Sequence, residues 1–370
     1  QRGMVSVGTP IIKSDTGEPP ISLNGQVRPS RLPLLIVSFM TLILVASIVL
    51  AWTRSTQQRN NSSGPPLIAP IVNSNWIELP KSPIHRTDMA ITTFGNLIYL
   101  IGGTAEGRAS VATEVFDPSN QTYRGLADKP TAVLNTQAAQ INGQIIIPGG
   151  KSDQGIATDV VEVFNISENS WTTVSPLPKP LHSYAIAAYQ GKLFVFGGYD
   201  DQNISSEIYT YRLDIDQWQE AGSLMEPVME ASAVISADQI FIIGGLTEER
   251  ITNTVQIFNP ATPDRLAWKE GSELPFPGTN LSVSEYGGLA FVLYTSSGES
   301  QNPSLIYLDT SKGEWVGKVD EYTLPPTRSA STILYGLYYV FGFSPEKGSA
   351  PRALSYRVVY NVMLPITTNN

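Results

Sequence analysis

The chain has no cysteine among its 370 residues. That single absence excludes disulfides, thiolate metal sites, a lipid-bearing N-terminal cysteine and any cysteine nucleophile. Histidine is almost as scarce. His85 and His182 are the two present, and each follows a proline and an apolar residue, in Pro83-Ile84-His85 and Pro180-Leu181-His182. The shared pattern marks two equivalent loops rather than a ligand cluster, and zinc-type spacing is absent. Positive charge is also short, with 24 Lys and Arg against 33 Asp and Glu and a net charge of −9. With no basic cluster, such a surface repels phosphate backbones, so nucleic-acid binding is not expected. No Gly-rich phosphate loop, Gly-x-Ser-x-Gly elbow or paired-carboxylate motif occurs, so the expectation is no cofactor, no metal and no catalytic residue.

What the chain does have is a beat. Trp76, Tyr123, Trp171, Trp218, Trp268 and Trp315 follow one another at gaps of 47, 48, 47, 50 and 47 residues. In phase with them runs a short apolar segment closed by two glycines: Leu97 to Gly103, Ile145 to Gly150, Leu193 to Gly198 and Ile240 to Gly245. Each unit holds four β-like stretches separated by Gly, Asn, Asp or Ser, as in Ser183 to Tyr189, Leu193 to Phe196, Glu207 to Tyr211 and Gln217 to Glu220. A four-stranded sheet with two apolar faces cannot bury both alone, so such units stack radially. The diglycine ends the second strand and leaves room for a neighbouring side chain, for which the later Trp is the natural candidate.

A period near 50 with β-rich units resembles kelch repeats, over about Asn75 to Ile366. The fifth unit, Ala290 to Thr295, has lost the diglycine and the sixth, Tyr338 to Phe343, keeps one glycine, but the spacing survives. Trp76 precedes any complete unit. The economical solution takes Asn75 to Leu79 as the outer strand of the last blade, near Leu354 to Tyr360. That closes a six-bladed propeller over residues 75–370 without a free edge.

Upstream, Leu34 to Trp52 is an uninterrupted uncharged stretch with Pro33 at its start and Arg31 and Arg54 at its flanks. As a helix it would measure roughly 28 Å, close to the ~30 Å hydrocarbon core. The fold class expected is therefore an all-β six-bladed kelch-like propeller preceded by one transmembrane α-helix at 33–52. Residues 1–32 form a turn-rich tail and 53–74 a polar, then proline-rich linker. The tail carries four basic and two acidic residues, which favours a cytoplasmic N-terminus and an exported propeller. Lack of cysteine suits a bacterial envelope, while sequons at Asn60, Asn61, Asn120, Asn165, Asn203 and Asn280 matter only in a glycosylating host. Small or hydroxylated residues, Ser38 with Thr41 and Ser47 with Ala51, offer helix-packing faces and point to membership of a larger membrane complex.

The resemblance implies that loops after the second strand and loops between blades share one face, which commonly receives partners. That face would hold Asp200, Asp201, Glu226, Glu230, Glu248 and Glu249 in blades three and four. Opposite them would stand Arg86, Arg108, Arg328, Lys347 and Arg352 in blades six and one. The function expected is a membrane-anchored, extracytoplasmic, protein-binding propeller, an accessory subunit of a membrane assembly or a surface adhesion module. The alternative is a carbohydrate-active propeller resembling sialic-acid mutarotases, for which Arg86, His182, Glu230 and Arg328 would surround the axis. Kelch-fold copper radical oxidases need a cysteine that this chain does not have.

Overall fold

The computed structural model describes residues 76–262, 267–294, 304–319, 329–343 and 351–358. The chain divides into two units, Gln1–Leu67 and Ile68–Asn370, and the described residues belong to the second.

Its described strands assemble into six antiparallel four-stranded sheets and one small hairpin, Thr104–Ala105 with Arg108–Ala109. Blade three shows why. Lys192–Phe196 is apolar at four consecutive positions, and alternation along a strand sends successive side chains to opposite faces. Leu193 and Val195 pack with Ile146, Val161 and Val163 of blade two. Phe194 and Phe196 pack with Ile240, Ile242 and Phe258 of blade four. A strand buried on both faces thus serves two seams at once. Six such clusters follow one another around the ring. Each fully buried aliphatic or aromatic side chain contributes roughly 1.5 to 3 kcal/mol.

Blades one to five take their strands in chain order. The sixth is composite: Ala330–Leu334, Leu337–Phe343 and Arg352–Arg357 are completed by Ile77–Glu78, with Ile77 opposite Ser355 and Glu78 opposite Leu354. Trp76 lies 5.1 Å from Tyr356, and the Leu79 amide donates to the Ala353 carbonyl. The ring is therefore closed by pairing of segments from the two ends of the domain.

The diglycines answer to backbone rather than to indole. Gly197 and Gly198 both have positive φ. A Cβ on Gly197 would lie 2.3 Å from the Val228 carbonyl of the next blade, and one on Gly198 would lie 2.8 Å from the His182 carbonyl. The Gly198 amide then donates to Val228, tying blade three to blade four. The phased tryptophans do something else. Trp218 stacks on Tyr211 of its own blade at 4.8 Å and donates from Nε1 to the Ser175 carbonyl. Trp171 repeats this with Phe164 and Ala127. The room beside the glycines, assigned to the indole by the sequence pattern, is filled by a carbonyl.

One expectation is corrected. The expected fold class joined a transmembrane helix to the propeller; the described residues are all-β, and among them no helix is long and apolar enough to cross a membrane. Their apolar runs are strands of the length of Leu97–Ile101, laid into sheets and buried on both faces between neighbouring blades. Residues 33–52 lie outside the described residues, as do Ser38, Thr41, Ser47 and Ala51.

Candidate functional site

The innermost strand of each blade is an edge of its sheet, so a row of backbone N–H and C=O groups faces the axis. Along that axis runs a cavity of about 510 Å³. Its mouth, on the face of the inter-blade loops, is built by one residue per blade: Asp88, Asn135, Ser183, Glu230, Asn280 and Ser329. The first five hold a left-handed backbone, with φ between 50° and 56°. This conformation is uncommon outside glycine, and Asn and Asp are enriched in it. It turns each peptide group along the ring. The Ser183 amide donates to the Asn135 carbonyl, Glu230 to Ser183 and Asn280 to Glu230, at 2.6 to 3.0 Å. Glu230 Oε2 also accepts from Thr279 Oγ1 and Asn280 Nδ2, both at 2.6 Å. Asp88 Oδ2 accepts from Thr87 Oγ1 at 3.0 Å. Blades one and four are diametrically opposed in a six-bladed ring, so these two carboxylates stand across the mouth from one another.

Around the mouth lie the loops that join second to third strands. They are laced by aspartates: Asp153 Oδ1 accepts from the Ala109 amide of blade one, and Asp201 Oδ2 from the Ala157 amide of blade two. Asp201 Oδ1 also sits 3.3 Å from Nε2 of buried His182. Burial, aided by Lys151, lowers the His182 pKa against the pull of Asp201. His85 is exposed.

The sequence-derived face residues separate by environment. Asp200 accepts from the Gln202 and Asn203 amides and lies 3.5 Å from Lys179. Burial raises its pKa, but these bonds outweigh that and hold it below the usual carboxylate range. Glu226 pairs with Arg250 at 3.2 Å. Glu248 and Glu249 are exposed, Glu249 3.9 Å from Arg250. On the other side, Arg108 is exposed and Arg352 lies 3.6 Å from Glu78. Arg328 and Lys347 fall outside the described residues.

Arg86 does not reach the surface, being 2% exposed. Its guanidinium donates to the carbonyls of Leu100, Gly102 and Ala112 and to Glu114 at 2.6 Å. Burial lowers its pKa, opposed by Glu114. Blade two buries an analogous pair, Lys129 with Glu162. The sequence reading placed Glu230 at the axis but missed both glutamates of the buried pairs and the other mouth residues. The signal existed: Asp88, Asn135, Ser183, Glu230 and Asn280 keep the same spacing as the aromatics.

Chemically, the arrangement is a polar axial well inside a loop face whose excess charge in blades three and four is negative. Among the described residues no group of three or more His, Cys, Asp or Glu could hold a metal ion.

A closed ring of radially stacked four-stranded sheets, with loops gathered around an axial mouth, defines a six-bladed β-propeller. The model for the Attractin/LZTR1 beta-propeller matches residues 67–262, just over half of the chain, and that for the KLHDC2/KLHL20/DRC7 Kelch-repeats domain matches 182–362. The chain belongs to the kelch-repeat β-propeller family. It is similar to Kelch-like protein terF of Aspergillus terreus, at 35% identity over 72 residues, 18% of this chain and 16% of that protein. It also resembles beta-scruin of Limulus polyphemus, at 24% identity over 102 residues, 26% and 11% of the two chains. The alignments thus span less than a fifth of either relative. The solved structure of YjhT superposes with a TM-score of 0.62 at 16% identity, covering 75% of this chain and 95% of that one, a likeness of fold alone.

Proposed function

We propose that this propeller is a protein-binding module whose loop face, at blades three and four, receives a basic segment of a partner protein. The observation that carries the reading is the exposed pair Glu248 and Glu249 at the tip of a blade-four loop, with Glu226 joined to that loop through Arg250 and with Asp200 and Asp201 on the blade-three loop. These five carboxylates face few local cations, chiefly Lys179 and Arg250. Such a sector steers a positively charged partner and orients it, with a strong dependence on salt. The test is zero-length carbodiimide crosslinking of the full chain in its native host, followed by identification of lysine-coupled peptides. Crosslinks should fall on Glu248 and Glu249, and the double substitution Glu248→Lys, Glu249→Lys should abolish partner recovery. Crosslinks confined to the opposite face, or undiminished recovery, would overturn the reading.

A second reading, a carbohydrate-active propeller, draws on the axial cavity, whose volume suits a small molecule. Saturable binding of a sugar from a defined panel, lost on filling the mouth with Ser183→Trp, is the outcome it requires.

A further inference from the structure

Blade one carries a tyrosine at the phased aromatic position where blades two to five carry tryptophan. The stacking is kept: Tyr123 lies on Phe116 at 4.8 Å, as Trp218 lies on Tyr211 at 4.8 Å. The donor is not. Trp171, Trp218 and Trp315 each spend Nε1 on a carbonyl of the inter-blade segment that precedes their blade, those of Ala127, Ser175 and Ser272, whereas the Tyr123 hydroxyl is buried with no hydrogen-bond partner among the described residues. Arg86, in the inter-blade segment that precedes blade one, is in the same position. Its Nη1 and Nη2 go to three carbonyls and to Glu114, but its Nε, equally buried, has no partner among the described residues. Both side chains line one small cavity of about 20 Å³ in the seam between blades one and six, walled on the far side by Phe341 and Gly342. Leaving two buried polar atoms unbonded is costly, and the space admits one water molecule, which needs roughly 10 to 15 Å³.

The neighbouring charge selects the occupant. Glu114 lies 2.6 Å from Arg86 and neutralises it. Burial, reinforced by Glu114, raises the Tyr123 pKa, so the hydroxyl stays protonated. An anion drawn to the guanidinium would be repelled by the carboxylate behind it, and a cation would meet an Nε–H that can only donate. A neutral molecule that accepts from Nε–H and exchanges a second bond with the hydroxyl satisfies both groups.

We propose that a single ordered water occupies the cavity between blades one and six, accepting from Arg86 Nε and bonded to the Tyr123 hydroxyl. Tyr123 thereby reaches the inter-blade segment before its blade through solvent, as three tryptophans reach theirs directly, and the water sits in the seam where the ring is closed.

The experiment has two arms, both on the full chain. In crystals grown with sodium bromide, one water peak should lie within about 3.2 Å of both Arg86 Nε and Tyr123 Oη, with no bromide anomalous signal at that point. In solution, oxygen-17 relaxation dispersion should count one long-lived water fewer in Tyr123→Phe than in the unmodified chain. Tyr335→Phe, which removes an exposed hydroxyl, should leave the count unchanged. No peak within reach of both atoms, a bromide ion in its place, or an equal count in Tyr123→Phe and the unmodified chain would overturn the proposal. If Tyr123→Phe fails to fold, the crystal of the unmodified chain decides.

Discussion

Blades two and four solve the same problem with opposite chemistry. In blade two, Lys129 from the inter-blade segment meets Glu162, two residues before Phe164 in the third strand, and both are buried. Thr131 adds a hydroxyl bond of 2.8 Å to the same carboxylate. In blade four the corresponding third-strand residue, two before Phe258, is Gln256. Its amide donates to the Glu226 carbonyl at 2.9 Å and accepts from the Glu226 amide at 3.0 Å. A neutral clamp replaces a charged one, and the Glu226 carboxylate turns outward to Arg250 and Thr252. The repeat therefore preserves a clamp between strand and inter-blade segment, not its charge. Where the clamp is neutral, a carboxylate, that of Glu226, is released to the loop face and joins the acidic sector.

The comparison breaks hardest at Glu162. Glu162→Ala should strand the Lys129 ammonium in a dry seam and cost about 3 to 5 kcal/mol, read as a fall in the urea midpoint. The double substitution Lys129→Met, Glu162→Leu should recover most of that, because no uncompensated charge remains. A single substitution costing under about 1 kcal/mol would show the pair to be solvated after all.

Next in size is Trp218→Ala. The indole is half-buried, stacked on Tyr211 and bonded to blade two through Ser175. Its loss should cost about 2 to 3 kcal/mol, below the value for a fully buried Trp. A loss within about 0.5 kcal/mol, as for an ordinary surface residue, would deny it a seam role.

Gln256→Ala should cost less than Glu162→Ala, about 1 to 2 kcal/mol for the unmade bonds of a buried backbone pair. Equal losses would mean that geometry rather than charge sets the strength of both clamps.

The smallest effect belongs to blade three, where Lys179 lies 3.0 Å from a half-exposed Glu207. Burial raises the Glu207 pKa, but Ser205 and Lys179 outweigh it and the net shift is downward. A carboxylate depressed in the fold contributes stability above its unfolded pKa of about 4.3 and loses it as pH falls through the folded value. Lys179→Met should thus cost under about 1 kcal/mol at neutral pH, and its difference from wild type should shrink in thermal melts as pH falls below about 4 through the depressed values of Glu207 and Asp200. A difference that grew on acidification would reverse the assigned sign.

The blade count and the strand order lay open in the sequence because both rest on spacing, and spacing survives substitution: blade five keeps its place without a diglycine. The buried charges were obscured by composition. Arg86 and Lys129 look like loop cations, and only their coincidence with buried glutamates that each precede a Val-Phe pair, in Thr113–Asp117 and Ala157–Asn165, betrays a pairing. The acidic loop residues were visible as charge but not as partners, since Asp201 reaches a backbone amide 44 residues away. The helix expected upstream was inferred from hydropathy alone, with no packing pattern to check it against.

Closing blade six with Ile77–Glu78 has a temporal consequence. The strand opposite, Arg352–Arg357, leaves the ribosome about 280 residues after its partner, a wait of roughly 15 to 60 s at usual synthesis rates of about 5 to 20 residues per second. Through that interval the early strand has nothing to pair with and the growing arc has two open ends. The two-residue length of the waiting strand makes it a poor template for a stranger's edge. Birth order and ring order are thereby reconciled, with the first of the described strands to be made becoming the last one docked.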